Sequence, residues 1–349
     1  MGKSQWLLNM LEQYKACLGM IMVQLAYAGM AMFSKAAIDR GMSPYIFVVY
    51  RQAFATITLA PFAFFLDRKN HDDHPLSYTL ILKIFLSSLF GITLSSNLYS
   101  YAINYVSATF ASVGINTIPA LTFLIAVIFR IEACSIRNSG GIAKLVGSVL
   151  SLSGAMVFAF VKGPVVRLMK CSNSTNSNNS NDYKWIQGCM LMLAANFIWA
   201  SWFVMQAPLV KQYPAKFRLI MLQCFFSCTQ SSIWAMSMER DISSWRIKWD
   251  LNLFSVAYCG VVVTGISFWL QLWAVEKKGP FYAAAFTPLI LIFTALFSLF
   301  LWNEMLYVGS FCGGILLIAG LYCVIWGKNK ETQMKENQEK VDIKEEMVV

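Results

Sequence analysis

From Ala16 onward the chain alternates long apolar runs with short polar breaks. Ten runs of roughly twenty residues carry almost no charge: 16–34, 45–66, 79–101, 107–129, 142–161, 186–206, 219–237, 251–275, 280–302 and 305–326. A helix rises about 1.5 Å per residue, so each run can cross a hydrocarbon layer about 30 Å thick. The pattern predicts an all-α membrane protein with ten transmembrane helices. The first run is too long, and too weakly basic before it, to be a cleaved signal peptide. Runs three and four, and nine and ten, are so close that each pair reads as a tight helical hairpin.

A polar stretch, CSNSTNSNNSND from Cys171 to Asp182, separates the first five runs from the last five. It cannot build a core. The chain therefore divides into an N-terminus (1–15), a first five-helix repeat (16–165), an Asn/Ser-rich linker (166–185), a second repeat (186–328) and a disordered tail (329–349). Punctuating residues recur across the halves. Pro119 is followed by Gly147, Gly154 and Lys162-Gly163; Pro288 is followed by Gly313, Gly320 and Gly327-Lys328. The two glycines stand seven residues apart in both halves. Pro44 before Arg51-Gln52 likewise answers Pro214 before Gln223. An odd number of spans forces the second repeat into the membrane upside down, which is the inverted-repeat plan of secondary transporters.

Composition agrees with lipid burial: 57% of residues are hydrophobic and 13% charged, and the mean hydropathy is +0.55. The net charge of +10 is spread singly between apolar runs, without a basic helix or aromatic-basic module for nucleic acid. It reports topology instead. With the N-terminus inside, seventeen Lys and Arg fall in inner segments, nine in outer ones, and Arg51 and Lys83 lie within spans. This places both termini in the cytosol and the linker outside. Its sequons make Asn173 and Asn178 candidate glycosylation sites. The nine cysteines lie mostly in apolar runs and read as packing residues, with no loop-stapling disulfide. His71 and His74 sit in DRKNHDDH, a charged loop. No Walker motif, nucleophile elbow or zinc helix is present, so neither enzyme chemistry nor a cofactor or metal is expected.

Polar residues inside spans are costly and therefore informative. Thr109, Ser112 and Asn116 share one face of the fourth run, and Thr264, Ser267 and Gln271 repeat the spacing in the eighth. Gln24 and Tyr27 in the first run, Asn97 in the third and Trp199 in the sixth complete a set of candidate path-lining residues. Helix–helix bridging is the alternative role for each. Arg51, two turns into its run, can either snorkel outward or meet an anionic substrate or a carboxylate partner. The prolines carry more weight. Each removes a backbone donor in mid-span, and paired breaks in corresponding positions of two halves point to a central site. Pro119 and Pro288 are thus candidate hinges. No Asp or Glu lies deep in any run, which favours a facilitator over a proton-coupled carrier.

The segments VQLAYAGMAMFSKAAIDRGMSPYIFVVYRQAFATITLAPFAFFLDRK (Val23 to Lys69) and NLYSYAINYVSATFASVGINTIPALTFLIAVIFRIE (Asn97 to Glu132) resemble plant EamA-like proteins of the drug/metabolite transporter superfamily. So does GPFYAAAFTPLILIFTALFSLFLWNEMLYVGSFCGGILLIAGLYCVIWGK, Gly279 to Lys328. The nearest group is the walls-are-thin-related, or UMAMIT, transporters. The resemblance implies two EamA repeats and movement of amino acids across the plasma membrane or the vacuolar membrane; some relatives are associated with auxin.

The sequence reading is thus a secondary transporter or facilitator for amino acids or related small organic solutes. It works by alternating access within a lipid bilayer, and is compatible with a homo-oligomer. The competing reading is a non-transporting membrane scaffold or signalling protein on the same fold.

Overall fold

The computed structural model describes residues 3–67, 77–102, 105, 114–132, 139–160, 182–247, 249–302 and 308–346. These residues form helices, and no strand occurs among them. The helices are α1 (Lys3–Asp39), α2 (Pro44–Phe65), α3 (Tyr78–Ala102), α4 (Ile118–Ile128), α5 (Ser139–Phe160) and α6 (Asp182–Gln212). There follow α7 (Lys216–Met238), α8 (Leu251–Lys278), α9 (Pro280–Ala285), α10 (Leu289–Trp302) and α11 (Val308–Glu346). Nine stretches among the described residues are long and apolar enough to cross a membrane. The expected fourth run is represented by the shorter α4, because residues 106–113 lie outside the described residues.

Local chemistry explains the boundaries. Pro44 opens α2 at a position where its missing N–H costs nothing. Asp250 caps α8 by accepting from the backbone N–H groups of Asn252 (3.0 Å) and Leu253 (3.4 Å). Lys277 and Lys278 complement the negative end of the same helix. Gly279, at φ +93°, then turns the chain in a conformation only glycine adopts cheaply, and Pro280 starts α9 at once. Two helices run beyond their apolar spans: α1 begins at Lys3 and α11 continues to Glu346. Residues 3–15 are rich in Leu, Lys and Gln and residues 329–346 in Lys, Glu and Gln, and neither stretch has Gly or Pro, so nothing stops an adjoining helix from running on.

The exterior is apolar and the interior partly polar, the inverse of a water-soluble core. Leu18, Ile57, Phe65, Ile128, Val149, Ile233 and Tyr322 are exposed, whereas Gln52, Ser88, Asn97, Gln223, Ser227 and Gln271 are buried. Lipid covers the first set; within the second, Ser88 donates to Gln223 O at 2.8 Å and Ser227 accepts from Thr93 at 2.9 Å across helices.

The fifth helices of the two halves, α5 and α11, pack along a row of glycines. A Cβ on Gly147 would stand 2.7 Å from the carbonyl oxygen of Gly320; one on Gly154, 3.1 Å from that of Gly313; one on Gly140, 2.9 Å from that of Gly327. Residue numbers rise on one helix as they fall on the other, so the helices are antiparallel. The first glycine of each repeat meets the second glycine of the other. A two-fold relation between the halves produces this crossed pairing. The fold is therefore two five-helix repeats in inverted arrangement.

Candidate functional site in the helix interior

Both proline-marked runs are broken. Pro119 begins α4, after a turn at Asn116 and Thr117 in which the Thr117 N–H donates to Gly114 O at 3.0 Å. In the second half the chain leaves α9 through a turn at 286–288, in which the Thr287 N–H donates to Ala284 O (3.0 Å), and resumes as α10. Each proline thus stands at the start of the downstream helix, where its lost N–H is harmless, rather than kinking a continuous one. Helices α4 and α9 touch each other, with Phe123 and Phe281 ring centroids 4.7 Å apart, and both pack against α6.

The helices preceding the breaks carry a second matched irregularity. Residues 88–93 of α3 and 259–266 of α8 form π-helix, with one extra residue per turn. Each segment holds a glycine on which a neighbouring helix presses. A Cβ on Gly91 would collide with the Trp202 ring, and one on Gly260 would lie 2.7 Å from the Arg51 carbonyl oxygen. The hydroxyls of Thr264 and Ser267 donate to the carbonyls of Cys259 and Val262, five residues back, at 3.0 Å each. Each hydroxyl thus donates within its own helix and keeps its acceptor lone pairs. Both side chains are buried.

The remaining expected residues gather in two adjoining places. Tyr27 of α1, Arg51 of α2 and Gln271 of α8 form one group, with Cys224 and Cys259 as further neighbours of the guanidinium. Arg51 donates from Nη2 to Ser96 Oγ at 3.3 Å and from Nη1 to Met30 Sδ at 3.5 Å. Its head is thus held between α1, α2 and α3. No carboxylate pairs with it among the described residues. The Arg51 Nε, Tyr27 Oη and Gln271 Oε1 atoms are buried without a regular hydrogen bond. Asn97, one residue beyond Ser96, donates to Thr93 O at 2.8 Å and leaves its own Oδ1 unpartnered.

The second group is aromatic. Trp199 stacks on Trp202 with centroids 5.0 Å apart, and Phe268 of α8 closes on both at 5.9 and 5.2 Å. Phe268 and Gln271 are three apart on α8 and share a face, so this wall adjoins the polar group. Asn196, one turn before Trp199, faces Gly114 just ahead of the α4 break, where a Cβ would stand 3.2 Å from its Nδ2. Asn116 and Gln24 are buried. Thr109, Ser112, Asn173 and Asn178 lie outside the described residues.

Three features escaped the sequence reading. Gln52 is fully buried with both amide atoms unpartnered, and Trp202 rather than Trp199 is the more deeply buried indole. The third is an ion network where α4 ends. Arg130 adopts a left-handed φ of 56°, turning the chain so that Glu132 meets Lys328 and, at 3.5 Å, Lys144; Lys144 also binds Glu331. A Cβ on Gly279 would strike the Glu132 carboxylate. The clue was Lys144, a charge two turns inside an apolar run's helix, which its nearness to the run's start made look like a loop residue.

Comparison with known proteins bears on this arrangement. The EamA-like transporter family model matches residues 14–160 and 186–326, once for each half. A WAT1-related protein of Arabidopsis thaliana is 47% identical over 344 residues, covering 97% of this chain and 100% of the relative. Protein WALLS ARE THIN 1 of the same plant is 34% identical over 331 residues, covering 92% and 85%. A solved crystal structure at 11% identity superposes with a TM-score of 0.66 over 89% of this chain and 97% of its own, a likeness of fold alone. The halves that the glycine row pairs are the two segments the family model matches, and the chain belongs to the EamA-like transporter family.

Proposed function

We propose that this multi-pass membrane protein is a secondary transporter or facilitator. It carries amino acids or related small organic solutes, auxin among them, across a plant plasma or vacuolar membrane by alternating access. One observation carries the reading. Two helices broken at corresponding prolines converge on α6, beside a polar group with unpartnered atoms and an aromatic wall. Helix breaks free backbone groups that lipid cannot satisfy, so they persist where they border protein or a hydrated path. Among the described residues the buried carboxylates Asp67 and Glu132 stand at helix ends, which supports facilitation over proton coupling. Both termini lie in the cytosol, as the Lys and Arg distribution directs.

Uptake of radiolabelled amino acids and of indole-3-acetate into proteoliposomes of the purified chain tests the proposal. Saturable flux of at least one probe is expected; none with any would favour a scaffold. Collapsing the pH gradient at fixed substrate gradient and voltage should leave the flux unchanged.

A further inference from the structure

We infer that Arg51 is the specificity-determining residue of the central site and reads an organic carboxylate on the carried solute; the inference rests on the transporter reading above. A guanidinium presents five N–H donors in a planar fork. Arg51 uses two of them, one on a hydroxyl and one on a thioether sulfur, which is a weak acceptor. Its Nε is buried with no acceptor. Among the described residues no Asp or Glu neutralises it, and its titratable neighbours are a tyrosine and two cysteines. Arg51 is half-buried, and a cation so placed without counter-charge is costly and is retained where something else supplies the charge.

Its position fits a ligand better than a lipid headgroup. Arg51 is the eighth of the 22 residues of α2, about 10 Å from the start of that helix and about a third of the way along it. The head points inward to α1 and α3. Gly260 lets the π segment of α8 approach the Arg51 backbone closely, so the residue is fixed against the irregular part of the bundle. A carboxylate placed on the free edge of the fork would take two parallel charge-assisted bonds, which an ammonium cannot reproduce. The Tyr27 hydroxyl lies beside it against the Gln271 amide, whose Oε1 is buried without a regular partner and can accept from an N–H at the solute's other end. The indole pair and Phe268 provide an apolar face for the solute's body.

The experiment compares acids with the corresponding amides, which lack the carboxylate, in proteoliposomes of the full chain. The probes are phenylalanine and glutamine against their α-amides, and indole-3-acetate against indole-3-acetamide, in wild type, Arg51→Lys and Arg51→Gln. For a carried acid, wild type should prefer acid over amide by about tenfold to a hundredfold, the worth of a charge-assisted bond. Arg51→Gln should erase that preference, and Arg51→Lys should retain part of it. Thermal unfolding gives an independent readout. If Arg51 serves a ligand, Arg51→Gln unfolds no earlier than wild type and loses the stabilisation that the acid confers. Wild type carrying acid and amide equally, or Arg51→Gln keeping the preference, overturns the inference and leaves the transporter reading intact. Arg51→Gln unfolding well below wild type while keeping its acid response also overturns it, since the guanidinium would then be a packing element. Wild type carrying no probe fails the transporter reading itself.

Discussion

Replacing Glu132 by glutamine probes the ion network where α4, α5 and α11 meet. The Glu132 carboxylate is held by Lys328 and by Lys144, and the side chains of Glu132 and Lys144 are 2% and 1% exposed. Glutamine keeps the shape and removes the charge, leaving two ammonium groups to share Glu331, which already binds Lys144 and lies 4.0 Å from Lys328. Removing one partner of a buried pair costs about 3–5 kcal/mol, because the other charge stays desolvated. The remaining carboxylate puts this case near the lower bound, about 3 kcal/mol. Reversible denaturation in mixed micelles would read the loss. Glu132→Gln combined with Lys328→Met should recover about half of it, since the uncompensated cation is then gone. A single variant within about 0.5 kcal/mol of wild type, or a double variant that adds the two losses, would show that the network carries no net pairing energy.

Four further outcomes are expected. Gly147→Ala pushes a Cβ to 2.7 Å from both Gly320 O and Val324 Cγ2 and should cost about 1–3 kcal/mol, whereas Gly314→Ala meets nothing within 4 Å and should be neutral or slightly stabilising in the same unfolding assay. Pro119→Ala or Pro288→Ala should lower uptake while leaving the unfolding temperature near wild type; unchanged uptake would make the breaks mere packing features. Burial holds the Asp67 carboxyl above the usual carboxylate range, against the opposing pull of the Arg218 and Phe217 N–H groups. Asp67 then binds protons more tightly folded than unfolded, so stability is greatest below the ordinary carboxylate pKa of about 4 and falls as pH climbs through the raised value. Asp67→Asn should remove that decline in a pH series of unfolding temperatures. Asn116→Ala should reduce transport more than surface expression, and equal loss of both would make it a packing residue.

Much of the fold was legible because a bilayer constrains it simply. An apolar run of twenty residues needs no tertiary partner to be read as a span, and the matched prolines and glycines announced the repeat. The helix ends were less legible. The Lys3–Lys15 and Gly327–Glu346 stretches have helix-forming composition, but whether a polar stretch continues a span depends on what it adjoins. The π segments were invisible, since an extra residue per turn leaves no periodic trace; only the glycines at 91 and 260 hinted at close approach. For the site, polarity in a run revealed that Tyr27, Arg51, Gln271 and Trp199 face inward. It could not tell which hydroxyls donate within their own helix, as Thr264 and Ser267 do.

The crossed glycine contact has a consequence for the continuity of the chain. Gly147 on Gly320 and Gly154 on Gly313 form a self-complementary seam, supplied in equal parts by two segments that enter the membrane in opposite directions. Helices α2 and α7, the second of each half, add another such junction, with Arg218 Nε donating to Ala63 O at 3.2 Å. The peptide link across the Asn/Ser-rich linker therefore sets stoichiometry and effective concentration rather than shape. Cutting the chain there and co-expressing residues 1–170 and 176–349 should yield one membrane particle that purifies through a tag on either piece. The seam reads as the interface of an ancestral dimer of opposed copies, later joined into a single gene product.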